Sequence, residues 1–77
     1  MNEKVIVDKL NATPFEPFVI VTNAGDRYEV RHPEMARMTA RHLYVFQQTE
    51  RHGLFRDPTI VGLRNISALE PLPGRAA

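Results

Sequence analysis

Three Arg-His dipeptides, Arg31-His32, Arg41-His42 and Arg51-His52, follow one another at intervals of ten positions and use every histidine in the 77-residue chain. Histidine is the side chain most often recruited for metal binding and for proton transfer near neutral pH, so the pattern raises a metal site first. A three-histidine zinc site needs all its ring nitrogens about 2 Å from one ion. If a strand turn centres near Ala40 and Arg41, antiparallel pairing opposes residues whose numbers sum to about 81. Position 32 then faces the region of 49. His42, at the turn, is some eight residues away, on the order of 25 Å at about 3.3 Å per residue. One chain therefore does not gather all three, and a period of ten matches no helical or strand repeat. His32 with His52, and Glu34 or Glu50 as a third ligand, is the remaining partial set. Solvated loop side chains account for it better, and no bound metal or cofactor is expected.

Other catalytic patterns are weaker still. Ser67 is the single serine, with no histidine marked as its base, and there are no cysteines. No glycine-rich phosphate loop, nucleophile elbow or paired-carboxylate arrangement stands out. The chain is not expected to be an enzyme.

The elements that would position any site can be read along the chain. Residues 2–11 place Ile6 and Leu10 at i and i+4 with Asn2 as a cap, which predicts a short helix. Pro14 and Pro17 stop it and deliver Phe15 and Phe18 inward. FVIVT, the turn NAGD and RYEV predict a hairpin with Gly25 at the position that tolerates positive φ. Pro33 is expected at a bulge, with one long strand bending there and continuing to Thr39. After the polar turn TARH comes a strand over LYVFQQ, a loop over 49–58, a strand over Ile60 to Leu63, a polar step at Arg64-Asn65 and a last strand over Ile66 to Leu72. Residues 73–77 read as a frayed tail.

One helix followed by five short strands in so small a chain favours a mainly β, strongly bent five-stranded barrel, since a flat sheet would expose a face and two edges. A single domain is expected over 1–77, its barrel over about 15–72. The core is expected from Ile6, Leu10, Phe18, Ile20, Tyr28, Val30, Leu43, Val45, Ile60, Leu63, Ile66 and Leu69.

Composition narrows the function. An apolar share of 43%, a charged share of 25% and a formal net charge of +1 are those of an ordinary globule with no strong field for nucleic acid. No apolar run approaches the roughly 20 residues of a membrane helix, and the opening residues do not read as a signal peptide. A cytoplasmic protein is the expectation.

Two resemblances add to this. LNATPFEPFVI, RYEVRHPE and ISALEPL together resemble a recurring type of small bacterial protein whose function is not assigned. Less fully, the order of helix and bent strands is similar to Sm-like proteins, including bacterial Sm-like RNA chaperones, and IVGLRNISALEP is similar to their second motif. That resemblance implies a homo-oligomeric ring that binds RNA through Arg64 and Asn65. The Asp and Asn of the first Sm motif are absent, with TARH in their place. The rival expectation is a protein-interaction or self-associating module on an SH3-like barrel, with Leu54 and Phe55 as bulky apolar groups in a polar loop. Near-neutral charge and the open edges of a small barrel put self-association or protein contact ahead of RNA.

Overall fold

The computed structural model describes residues 1–47 and 57–72. Helix α1 spans Glu3–Asn11, and the Asn2 side chain accepts a hydrogen bond from the Lys4 N–H at 2.9 Å. Glu3 in the first turn and Lys9 in the last suit the helix dipole, and Lys4 pairs with Asp8 one turn on. Ile6 is the one buried residue of α1. The Pro-containing connector then leads into β1, Phe18–Thr22, with the Phe15 ring 6.0 Å from that of Phe18.

Strand β1 pairs antiparallel with β2, Arg27–Val30, through the expected hairpin. Its turn closes with Thr22 N–H to Asp26 C=O at 2.9 Å and Gly25 N–H to Thr22 C=O at 2.9 Å, and Gly25 has φ +92°. Nothing lies within 4 Å of where a Cβ on Gly25 would sit, so a substitution there meets backbone strain rather than a clash. Gly25→Val is expected to destabilise by about 1 kcal/mol or more, read as a melting temperature lower by roughly 4–8 °C. An unchanged melting temperature would show that the turn tolerates another geometry.

Beyond Val30 the structure corrects the expected continuous strand. Pro33 has no N–H for a ladder, and the chain makes a 3-10 turn over Pro33–Met35 instead of a bulge. Met35 N–H bonds to His32 C=O at 3.0 Å within it. Strand β3, Ala36–Met38, then begins on a new partner, β4, His42–Val45. Their register opposes Ala36 with Val45 and Met38 with Leu43, the sum of 81 anticipated from the turn. Strand β5, Thr59–Gly62, pairs with β4, a second 3-10 turn covers Leu63–Asn65, and β6, Ile66–Pro71, returns to β1.

The chain is thus mainly β with one N-terminal helix, but the count and closure differ from expectation. Among the described residues, six strands form two three-stranded antiparallel sheets, β2-β1-β6 and β3-β4-β5, which do not close into a barrel. The two 3-10 turns are the corners where the chain leaves one ladder for the other. Both sheets and the helix contribute to one buried cluster that includes Ile6, Phe18, Ile20, Val30, Leu43 and Val45. Leu10, Tyr28 and Leu69 are partly buried against it. Ile60 is the clear exception among the expected core residues: it is 56% exposed, and its neighbour Val61 is buried at 6% in its place. Among the described residues, no helix is long and apolar enough to cross a membrane.

Candidate functional site

The corner between β5 and β6 is fastened from three directions. Leu63 points inward, and its N–H donates to Arg41 C=O at 2.9 Å. The Met1 amine donates to Leu63 C=O at 2.7 Å. From the hairpin, Asn23 N–H reaches Asn65 C=O at 2.7 Å and Asn23 Nδ2 reaches Arg64 C=O at 3.1 Å. These bonds occupy the backbone of the corner and leave the side chains of Arg64 and Asn65 exposed.

Beside the corner is a groove of about 720 Å³ whose polar lining includes Asn2, Glu3, Arg41, His42, Arg64 and Asn65. Two turns far apart in sequence meet here: TARH, between β3 and β4, and LRN, between β5 and β6. Lys4, Arg27 and Arg31 each form an ion pair with a carboxylate, whereas Arg41 and Arg64, like Lys9 and Arg37, have no ion pair or side-chain hydrogen bond among the described residues. Two uncommitted guanidinium groups with a single carboxylate, Glu3, along one groove suit the holding of an anion.

The second candidate surface is the outer side of β5. Ile60 stands mid-strand and largely exposed, and a cleft of about 340 Å³, lined in part by Asn23, Asp26, Tyr28 and Ile60, separates β5 from the hairpin.

The histidines do not converge in the described structure. His32 precedes the first 3-10 turn and His42 starts β4, both exposed. His52 and Glu50 lie outside the described residues, as do Leu54 and Phe55. Among the described residues, no group of three or more possible ligands is placed to hold a metal ion. Ser67 Oγ donates to Val21 C=O at 3.1 Å, a tie between strands. Arg41 is the groove residue that sequence reasoning missed. The signal was present, because the polar turn preceding LYVF had been located, but nothing in the spacing of Arg41 and Arg64 announces that the β4–β5 ladder brings them together.

No protein-family model, curated protein or solved structure significantly matches the chain.

Proposed function

We propose that the chain is a non-enzymatic binding module that self-associates through the edge of β5 that has no strand partner among the described residues. The observation that carries this reading is Ile60, 56% exposed at the middle of an edge strand. Unpaired backbone groups beside an exposed apolar side chain form a template for another strand. Leu54 and Phe55, a few residues ahead of β5 in sequence, would add apolar contact to the same association. The finer architectural reading, a bent barrel of Sm-like or SH3-like type, has support in the order of the ladders. Because β2 and β3 follow each other across Pro33–Met35, β6-β1-β2 and β3-β4-β5 read as one order of five when β2 and β3 are counted as a single strand folded at that turn.

Mass in solution tests the proposal. Wild type is expected to run as a dimer or larger species by sedimentation at micromolar concentration. Ile60→Lys is expected to weaken that association tenfold or more, because the substitution places a charge, the usual protection of a sheet edge, in the centre of the contact. Its circular dichroism should be unchanged, since Ile60 is outside the core. A monomeric wild type overturns the proposal.

A second reading rests on the groove: RNA bound as a single strand, with Arg41 and Arg64 on phosphates and Asn65 beside them. Short single-stranded RNA titrated at two salt concentrations should then bind more weakly at higher salt. Arg41→Ala or Arg64→Ala should each reduce the salt slope by about one. Absence of binding at low salt dismisses this reading.

A further inference from the structure

Resting on the RNA binding given above as the second reading of the groove, we infer that the groove and the cleft beside β5 are one site, joined over Gly62. The site takes one nucleotide unit of the strand. Its phosphate is held by Arg41 and Arg64, and its base, one that carries an exocyclic amine, enters the cleft between Tyr28 and Ile60, where Asp26 accepts from that amine.

Gly62 is the floor of the join. It lines both the groove and the cleft, as does Asn65. Its backbone, φ −67° and ψ 139°, is extended and open to any residue, so no turn requires a glycine at this position. Packing does not require one either, because the one atom within 4 Å of an added Cβ is Asn65 Nδ2, in ordinary contact at 3.5 Å. A glycine inside a strand weakens it and often marks a place that a ligand approaches closely. Here the missing side chain leaves a passage, with His42 across the ladder on one side and Asn65 on the other. From Leu63 in the groove back to Ile60 in the cleft is three residues, about 10 Å along the strand. That span is comparable with the reach from a phosphate to the far edge of its own base.

Charge sets the direction of the nucleotide. Arg41 and Arg64 are both exposed at the groove end. At the cleft end Asp26 is the one charged residue among the described residues of the lining, and it is exposed, with no ion pair or side-chain hydrogen bond among them. A phosphate is drawn to the first end and repelled from the second. A carboxylate only accepts, so it suits the N4 amine of cytosine and repels the carbonyl that uracil presents in the same place. The hairpin turn uses the Asp26 N–H and C=O, not its carboxylate. Tyr28 and Ile60 give the flat base an aromatic and an aliphatic wall. A base against Ile60 excludes a second copy of the chain from the same side chain.

Cytidine and uridine hexamers, titrated at low salt by fluorescence anisotropy, test the joined site. Wild type is expected to bind the cytidine hexamer about fivefold more tightly than the uridine hexamer. Asp26→Asn should bring the two within about twofold, because an amide can donate or accept. Gly62→Val fills the passage and should weaken the cytidine hexamer about fivefold or more, with far-UV circular dichroism and melting temperature near those of wild type. If Gly62→Val does not fold, the cytidine preference and its loss in Asp26→Asn decide. Equal binding of the two hexamers by wild type, a preference that survives Asp26→Asn, or full affinity in a folded Gly62→Val overturns the joined site, while salt-dependent binding at the arginines stands. No binding of either hexamer at low salt overturns both.

Discussion

Phe18→Ala is expected to remove about 3–5 kcal/mol of stability, the usual cost of deleting a buried phenylalanine side chain. Phe18 is fully buried and heads the largest enclosed side chains of the core. It is in β1, the central strand of its sheet, where it opposes Val30 on one side and Pro71 on the other. A domain of this size has roughly 4–12 kcal/mol in total, so the variant should be largely unfolded in moderate urea where wild type is native. A urea midpoint close to that of wild type would show that β1 is not at the centre of the core.

The second large effect is expected from the helix. Ile6→Ala should cost about 2–5 kcal/mol, although α1 has only nine residues and makes no backbone pair with either sheet. Isolated helices this short are marginal in water, so α1 is stable because it is docked. Ile6, fully buried in the cluster shared by the two sheets, is the residue that docks it. Loss of the isoleucine should lower the urea midpoint and reduce helical ellipticity before the strands are lost. Val7→Ala, one position along and 37% exposed, should change the midpoint little. Equal effects at the two positions would mean that the helix docks by another face.

The sequence made the hairpin legible because three local signals agreed: alternation in FVIVT and RYEV, a polar turn between them, and a glycine where the turn needs φ +92°. The pairing of β3 with β4 was equally accessible once the turn had been placed, since the turn centre determines every opposed pair. Strand β5 shows the limit. In Thr-Ile-Val-Gly, adjacent β-branched residues leave no polar alternation to say which face is inward, and a slip of one residue exchanges Ile60 for Val61. Pro33 was read as a bulge in one continuous strand, but a 3-10 turn accommodates the same missing N–H, and only the new partner of β3 distinguishes the two. The groove was least legible. Arg41 and Arg64 come together through a ladder of apolar residues, so the charges themselves carry no spacing that marks a site.

The pairing of β1 with β6 has a consequence for synthesis. Phe18 opposes Pro71, so the first strand of the protein needs nearly the last residue of the described chain as its neighbour. Emerging from the ribosome at about 5–20 residues per second, the nascent chain holds β1 in its hairpin with β2 while its other edge waits for some seconds. During that interval Val-Ile-Val is presented along an unsatisfied backbone, a segment of the kind that pairs with like segments on neighbouring nascent chains.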